Sequence, residues 1–125
     1  MLGTGIDISD ISRLERAAKR TPGILERLFT ESELGYCMRK RYPFEHLAGR
    51  FAAKEACIKA LGRRIPWKSM EVRRGASGKP GMYVDPRYLP GGHAEVLVSL
   101  SHERAYAVAS VVICAASSGE APVSR

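Results

Sequence analysis

The chain contains 125 residues, of which 45% are apolar and 26% charged, which is the size and composition of one soluble globular domain. Its 3 cysteines form no C-x-x-C pair, which argues against a disulfide framework. Its first residues lack a signal-peptide pattern, which argues against secretion. Its longest apolar run is too short to span a bilayer. We therefore expect a cytoplasmic protein, and the net charge of +7 predicts an anionic partner: a nucleic acid, a phosphorylated small molecule or an acidic protein.

The chain opens with a predicted strand from Leu2 to Ile8. Its alternation places Ile6 and Ile8 on one face and Asp7 on the other. Asp7 has two interpretations at this stage. It caps the helix that follows, or it supplies carboxylate oxygens to a functional site.

A first helix is predicted after this strand, with Ser9 or Asp10 as its N-terminal cap and an end at about Lys19. Three arginines at i, i+3 and i+7 form a basic stripe on it: Arg13, Arg16 and Arg20. Such a stripe either solvates an exposed face or receives an acidic partner.

Two short helical segments are predicted before the centre of the chain. Thr21-Pro22 is a cap followed by proline at the first helical position, which starts a short turn through Leu28. The sequence Thr30-Glu31-Ser32-Glu33 is a capping box, and it opens a helix towards Met38.

A long central helix is predicted from Phe44, just after a chain-breaking proline, to Gly62, a residue suited to a left-handed C-cap. Five apolar side chains share one side of it: Phe44, Leu47, Ala48, Phe51 and Ile58. Glu55 falls within this stripe, with Lys59 one turn further along. Glu55 either forms an i,i+4 ion pair with Lys59 or holds a metal ion or an acid–base position in a cleft.

The second half of the chain changes to the period of β-strands. Four strands are predicted: Met70 to Arg74, Met82 to Val84, Ala94 to Ser101 and Ala105 to Cys114. The last is apolar on both faces and is expected inside the sheet. Helices followed by antiparallel strands predict an α+β fold, with the long central helix packed on a mainly antiparallel sheet. We expect one domain over residues 1–116 and a flexible polar tail over 117–125.

Several familiar site motifs do not match the sequence. Gly75-x-x-Gly78-Lys79-Pro80 is two residues short of a P-loop and has proline where that motif needs Ser or Thr. His102-Glu103-Arg104-Ala105-Tyr106 has tyrosine where a zinc protease needs its second histidine. No Cys/His grouping matches a structural zinc site, so zinc is not expected.

The remaining candidates are oxygen ligands and cations. Asp7 and Glu55 can share a hard cation such as Mg²⁺, which takes few carboxylates and completes its shell with water and phosphate oxygens. Lys54, Lys59 and His102 can then surround a diphosphate, although a turn histidine bonded to backbone is the alternative for His102. Together these residues describe a metal-assisted phosphate site.

Several blocks of the sequence carry a resemblance to a known family. They are, in order, Gly5-Ile6-Asp7-Ile8 with Arg13 downstream, Phe29-Thr30-x-x-Glu33-Leu34, Ala48-Gly49-Arg50-Phe51-Ala52-Ala53-Lys54-Glu55-Ala56-x-x-Lys59-Ala60-x-Gly62, Gly78-Lys79-Pro80, and Ser99-Leu100-Ser101-His102 with Tyr106-Ala107. Over nearly its whole length to about Val112, the chain resembles holo-[acyl-carrier-protein] synthase, the small type of 4′-phosphopantetheinyl transferase.

The resemblance implies the transfer of 4′-phosphopantetheine from coenzyme A to a serine hydroxyl of apo-acyl carrier protein, with release of adenosine 3′,5′-bisphosphate. It implies that Asp7 and Glu55 hold Mg²⁺ against the diphosphate, and that Lys59 neutralises phosphate charge with Lys54 close by. The other coenzyme contacts it implies are Arg50, Gly78, Lys79, Pro80 and His102.

The resemblance also implies a homotrimer with the coenzyme between subunits. An acidic carrier protein is expected to dock on the basic stripe Arg13, Arg16 and Arg20. The group that takes the serine proton stays open among Asp7, Glu55 and a metal-bound water, with Asp7 or a water beside it favoured. The carrier can serve fatty acid, polyketide or peptide synthesis.

Two other classes of function remain as alternatives. The positive charge also suits a nucleic-acid-binding module without catalysis, although the tyrosines that would stack bases are scattered. A coenzyme A-binding scaffold without turnover would use the same fold and pocket. We favour the transferase and expect neither a nucleic acid nor a membrane as its partner.

Overall fold

The computed structural model of the protein describes residues 2–116. Its helices and strands are β1 Gly3–Asp10, α1 Ile11–Arg20, α2 Ile24–Leu28, α3 Glu31–Cys37, α4 Pro43–Leu61, β2 Met70–Arg74, β3 Pro80–Val84, β4 Glu95–His102 and β5 Tyr106–Cys114. Short 3₁₀ turns lie at Trp67–Ser69, Pro86–Tyr88 and Pro90–Gly92. The predicted α+β fold is confirmed, and the predicted tail over 117–125 lies outside the described residues.

The strands form two antiparallel units. β1, β5 and β4 make a three-stranded sheet in that order, and β2 and β3 form a hairpin. The prediction that β5 lies inside the sheet is therefore confirmed. The register pairs Asp7 of β1 with Ala109, and His102 of β4 with Ala107. Asp7 and His102 consequently lie on opposite sides of β5.

α4 packs across β1 at a separation that requires glycine. A Cβ atom added at Gly5 would lie 2.0 Å from the carbonyl oxygen of Ala56, and one added at Gly3 would lie 2.0 Å from that of Ala60. Any side chain at either position would push the helix and the strand apart. The two glycines thus bring the second half of α4 against the strand that carries Asp7.

The predicted apolar stripe is only part of the buried surface of α4. The buried residues of this helix are Leu47, Ala48, Gly49, Arg50, Ala52, Ala53, Lys54, Ala56 and Cys57. Phe44, Phe51 and Ile58 of the predicted stripe are only partly buried. The reason is that two strands, β1 and β5, and also α1, α3 and β2 contact this helix. Small residues are needed where the strands approach it.

Three predicted helix ends are confirmed. Asp10 caps α1 by accepting a hydrogen bond of 3.1 Å from the backbone nitrogen of Arg13. Thr30 and Glu33 form the reciprocal capping box of α3. Gly62 ends α4 in the left-handed conformation, with φ of 78°.

The prediction for the start of α2 is wrong. Thr21 is the C-terminal cap of α1 and not the N-terminal cap of the next helix. The residue before α2 is Gly23, whose φ of 82° lies in the region that glycine adopts without strain. The chain therefore reverses through Gly23, and α2 begins later than the Thr-Pro pair indicated.

The outer face of β1, turned away from α4, is apolar and exposed. Ile6 and Ile8 are both 64% exposed, whereas Ser9 on the inner face is buried. Leu97 of β4 and Tyr106 of β5 are also exposed. The outer sheet face thus presents these exposed apolar side chains between polar ones such as Ser99 and Ser110. Along residues 2–116, no helix combines the length and apolar character needed to cross a bilayer.

Candidate functional site

One cavity joins the two carboxylates that the sequence singles out. Asp7 of β1 and Glu55 of α4 both line a cavity of about 430 Å³, here called the carboxylate cavity. The other residues that line it are Ile8, Ser9, Asp10, Arg13, Leu14, Ala17, Ile24, Leu28, Phe51 and Trp67. Two acids that are distant in sequence therefore face the same space.

Asp7 already has a cation beside it. The Lys59 ammonium lies 3.1 Å from Asp7 Oδ1 and donates to the backbone carbonyl of Ile6 at 3.0 Å. The Lys59 side chain is 54% exposed and that of Asp7 is 18% exposed. Two alternatives from the sequence are thereby excluded: the cap of α1 is Asp10 rather than Asp7, and Lys59 pairs with Asp7 rather than with Glu55.

Glu55 completes a donor set of hard oxygens. In the described part of the chain, its carboxylate has neither a hydrogen-bond partner nor an ion-pair partner. A magnesium ion needs few carboxylates when water and phosphate oxygens fill its other positions. Asp7 and Glu55 have the chemistry to hold such an ion, and the Lys59 ammonium lies beside Asp7.

The predicted basic stripe of α1 divides into two parts. Arg13 is exposed and lines the carboxylate cavity. Arg16 and Arg20 are exposed on the same helix but do not line it, and Arg16 donates to the Ser12 hydroxyl at 3.1 Å. Arg13 is therefore the member of the stripe nearest the carboxylates.

Lys54 lies in the interior, away from any phosphate-accessible surface. Its ammonium is fully buried, lies 2.7 Å from Glu33 Oε1 and donates to the Leu28 carbonyl at 2.8 Å. Burial lowers the pKa of Lys54 below its usual value, and the Glu33 carboxylate opposes that shift. The expectation that Lys54 lies near the diphosphate has no counterpart in this chain's geometry, because both of its partners belong to the core.

Glu33 is a structural centre that the sequence identifies only as half of a capping box. Its Oε1 accepts from the Thr30 backbone nitrogen at 3.0 Å as well as from Lys54. Its Oε2 accepts from the Val72 backbone nitrogen at 2.8 Å. One carboxylate thus joins α3, α4 and β2. No pattern in the sequence signals the link to β2.

Arg50 and His102 meet at a second, smaller cavity of about 220 Å³, here called the histidine cavity. His102 Nδ1 lies 3.3 Å from Glu45 Oε1, so its partner is a carboxylate and not the backbone. The ring of His46, which the sequence did not single out, lies 5.3 Å from that of His102. Burial, and then the charges of His102 and Arg50, lower the pKa of His46 below its usual value.

Gly78 and Lys79 lie in the turn of the β2–β3 hairpin, and Pro80 begins β3. Gly78 has a φ of 83°, and its carbonyl accepts a hydrogen bond of 2.6 Å from Arg74. Lys79 and Pro80 line a third cavity of about 370 Å³ that includes Leu97 and other residues of β4 and β5. In a single chain, the predicted coenzyme contacts are therefore distributed over separate cavities.

Comparison of the sequence with family models and with known proteins gives a consistent result. Residues 3–111 match the model of the 4′-phosphopantetheinyl transferase superfamily. The holo-[acyl-carrier-protein] synthase of Moorella thermoacetica is 45% identical over 120 residues, which cover 90% of this chain and 94% of that protein.

Solved structures give the same result for the fold. The holo-[acyl-carrier-protein] synthase of Neisseria meningitidis has a TM-score of 0.82 and 32% identity, and the match covers 90% of this chain and 98% of that one. The Helicobacter pylori synthase, solved in complex with coenzyme A, has a TM-score of 0.78 and 31% identity over 88% of this chain and 98% of that one.

Proposed function

The chain belongs to the 4′-phosphopantetheinyl transferase superfamily, and on this premise we propose that it is a holo-[acyl-carrier-protein] synthase. It transfers 4′-phosphopantetheine from coenzyme A to a serine hydroxyl of an apo-acyl carrier protein and releases adenosine 3′,5′-bisphosphate. The observation that carries the proposal is the cavity shared by Asp7 and Glu55, with Lys59 held beside Asp7.

The chemistry asks the protein mainly for positioning and for positive charge. The serine oxygen attacks the phosphorus that carries pantetheine, and the bond from that phosphorus to the oxygen of the second phosphate breaks. Bound by Asp7 and Glu55, Mg²⁺ would supply charge stabilisation to the diphosphate. Lys59 supplies a further cation, because its ammonium is exposed and is held by only one carboxylate and one carbonyl.

The nucleophile belongs to the carrier, so the protein needs only an acceptor for the serine proton. Asp7, or a water molecule beside it, is our candidate for that acceptor, because Asp7 lines the cavity and keeps a partly exposed carboxylate. Arg13 lines the same cavity. Arg13 is therefore placed to attract an acidic carrier, whose serine must reach this cavity.

We further propose that the working form is a homotrimer with coenzyme sites between subunits. Two observations support association through the outer sheet face. Ile6 and Ile8 leave an apolar surface exposed there, and the cavity beside Lys79 and Pro80 includes residues of that face such as Leu97. Sedimentation of the purified protein tests this: a trimer supports the proposal, and a monomer at micromolar concentration contradicts it.

We place the protein in the cytoplasm, where acyl carrier proteins and free thiols are kept.

The experiment that tests the function is a mass measurement on the carrier. The protein is incubated with coenzyme A, Mg²⁺ and a panel of apo-carriers, and each carrier is weighed. We expect one carrier to gain the mass of a single phosphopantetheine. Absence of any gain, with coenzyme A still bound, would instead favour the scaffold without turnover. The panel also identifies which type of carrier is modified.

A further inference from the structure

Two residues at the start of α4 flank His102 at the histidine cavity. Glu45 lies in the first turn of the helix and His46 follows it, and both line the cavity that also contains Arg50 and His102, the last residue of β4. Neither Glu45 nor His46 belongs to the sequence blocks that carry the family resemblance. The start of α4 and the end of β4 therefore meet at one cavity.

The position of the Glu45 carboxylate favours one hydrogen-bonding form of His102. Glu45 Oε1 lies 3.3 Å from His102 Nδ1. An ionised carboxylate accepts hydrogen bonds and donates none, and it repels the lone pair of a ring nitrogen that carries no hydrogen. The contact therefore favours a hydrogen on Nδ1. Nε2, which has no hydrogen-bond partner within residues 2–116, is then the ring nitrogen left for a ligand.

The ring of His46 limits the rotation of His102 from a second side. The two ring centres are 5.3 Å apart and their planes are inclined by 67°, which is an edge-on contact. His46 is itself held on its other side by Tyr36, whose ring it meets edge-on at 6.3 Å. Because burial and the neighbouring charges lower the pKa of His46, its ring is neutral near pH 7 and does not repel a charged His102.

Glu45 has no competing cation in the described part of the chain. Its side chain also lines a cavity of about 360 Å³ together with Arg41 and Arg104, yet neither arginine pairs with it. The side chains of Glu45 and His102 are 21% and 34% exposed. Charges sheltered to this degree are screened less by salt than those of an open surface. The Glu45 carboxylate is therefore committed to the ring of His102.

We infer that Glu45 is a positioning residue for coenzyme A: its carboxylate, assisted by the edge of His46, holds His102 at Nδ1 so that Nε2 is presented to a phosphate oxygen of the coenzyme. In its charged form the ring donates from Nε2 to that oxygen, and the carboxylate balances the charge at Nδ1. Glu45 thus acts on the ligand through His102, as the carboxylate partner of a histidine does in many sites. The inference rests on the proposed function for the identity of the ligand.

Two substitutions of Glu45 separate the contact at Nδ1 from the charge. Glu45→Gln and Glu45→Leu both remove a negative charge from the first turn of α4, but Gln keeps an oxygen that can accept from Nδ1. We expect E45L to raise the KM for coenzyme A and the Kd for adenosine 3′,5′-bisphosphate about three- to tenfold, and E45Q to restore most of the affinity. The kcat should change little, because His102 does not line the carboxylate cavity.

Glu15→Leu is the matched control for these variants. Glu15 lines the same 360 Å³ cavity as Glu45, but its carboxylate pairs with Lys19 at 3.7 Å. We expect E15L to bind coenzyme A and the bisphosphate as wild type does. Effects of E15L equal to those of E45L would overturn the inference, since they would show that any carboxylate near this cavity has the same influence.

Two substitutions of His46 test the second contact. His46→Phe keeps an aromatic edge against His102, and His46→Ala removes it. We expect H46F to bind the bisphosphate as wild type does and H46A to bind it about two- to threefold more weakly. Equal weakening in H46F and H46A would contradict the role given to His46, because it would show that the nitrogens of His46 and not the ring edge are required.

Nuclear magnetic resonance reads the His102 ring directly and needs no turnover. Long-range proton–nitrogen correlation spectra identify which nitrogen carries the hydrogen in the neutral ring. We expect Nδ1–H in wild type and Nε2–H, the form that a free imidazole favours, in E45L. Nε2–H in wild type, or a Kd for E45Q as high as that of E45L, overturns the inference. If wild type modifies no carrier but shows Nδ1–H and E45L weakens bisphosphate binding, the proposed function fails and the inference holds.

Discussion

Lys59 Nζ lies 3.1 Å from Asp7 Oδ1, joining the helix α4 to the strand β1 at the wall of the carboxylate cavity. The pair involves the carboxylate that we propose as a Mg²⁺ ligand, so the ammonium and the metal would compete for one oxygen donor. Under the proposed function, the same side chain would also meet the phosphates of coenzyme A. Lys59 would then have two successive partners, and its exposure allows the exchange.

This competition predicts an effect on metal binding without coenzyme A. Lys59→Met should tighten Mn²⁺ or Mg²⁺ binding to the free protein about two- to fivefold, because an exposed ion pair of this kind is weak and its loss frees Asp7. Turnover should fall, since one cation is missing from the phosphates. Calorimetric titration with each metal checks the first effect, with Lys68→Met as the control. A metal affinity equal to wild type would show that Lys59 does not compete.

The metal assignment predicts large losses of turnover on neutralising either acid. Asp7→Asn and Glu55→Gln should each reduce carrier modification about a hundredfold or more, because each removes a charged donor that positions the diphosphate. Both variants should stay folded, since neither carboxylate is a core residue. Carrier mass spectrometry with circular dichroism measures both effects. Asp85→Asn, whose carboxylate pairs with Arg87 at 3.2 Å, is the control. Wild-type rates in either cavity variant would refute the assignment.

The position of Arg13 predicts a selective effect on the carrier. Arg13→Ala should raise the KM for the acidic carrier about three- to tenfold and leave the KM for coenzyme A unchanged, because the Arg13 side chain lines the carboxylate cavity but forms an ion pair with neither Asp7 nor Glu55. The effect should shrink as salt is added, since exposed charges are screened. Arg64→Ala, another exposed arginine, serves as the control. An unchanged KM for the carrier would show that Arg13 is not part of the docking surface.

The close approach of α4 to β1 predicts a combined loss of stability and activity. Gly5→Ala places a Cβ atom 2.0 Å from the Ala56 carbonyl oxygen, so the helix must move away from the strand. We expect a loss of about 2 kcal/mol in the free energy of unfolding and reduced turnover in the folded fraction.

A second glycine provides the control for this change. Gly35 lies inside α3, where an added Cβ meets nothing within 4 Å. Gly35→Ala should raise the free energy of unfolding by about 0.8–1 kcal/mol through helix propensity alone. Chemical denaturation of both variants makes the comparison. Equal effects on the free energy of unfolding would show that α4 and β1 do not pack as closely as the structure indicates.

The buried pair of Lys54 and Glu33 predicts a stability effect without a substrate effect. Lys54→Met leaves the Glu33 carboxylate buried without its cation, which should lower the free energy of unfolding by about 3–5 kcal/mol. The KM for coenzyme A should not change in the folded fraction, because the ammonium has no exposed surface. Lys19→Met removes an exposed pair with Glu15 and should cost less than about 1 kcal/mol. A raised KM for coenzyme A with unchanged stability would show instead that Lys54 contacts the coenzyme.

Most of the secondary structure could be predicted because its determinants are local. The capping box at Thr30, the glycine at the end of α4 and the alternation of β4 each depend on neighbouring residues. The start of α2 was misplaced for the same local reason, since a Thr-Pro pair resembles a cap while Gly23 decided the turn. The tail over 117–125 stays a prediction.

Glu55 could be singled out from the sequence, because a carboxylate on an apolar helix face is costly unless it has a use. What the sequence could not decide is which cation meets which acid. Lys54 and Lys59 lie on one helix, yet one is buried against Glu33 and the other reaches Asp7.

By itself, the sequence determined the α+β plan, the basic character and the acids that merit attention, since period, capping and composition are properties of short segments. Only the tertiary structure decided that Asp7 and Glu55 share a cavity and that Lys54 belongs to the core. The physical reason is that each side of α4 is covered by elements far away in the chain, and that coverage sets which of its charges are buried, paired or free to bind.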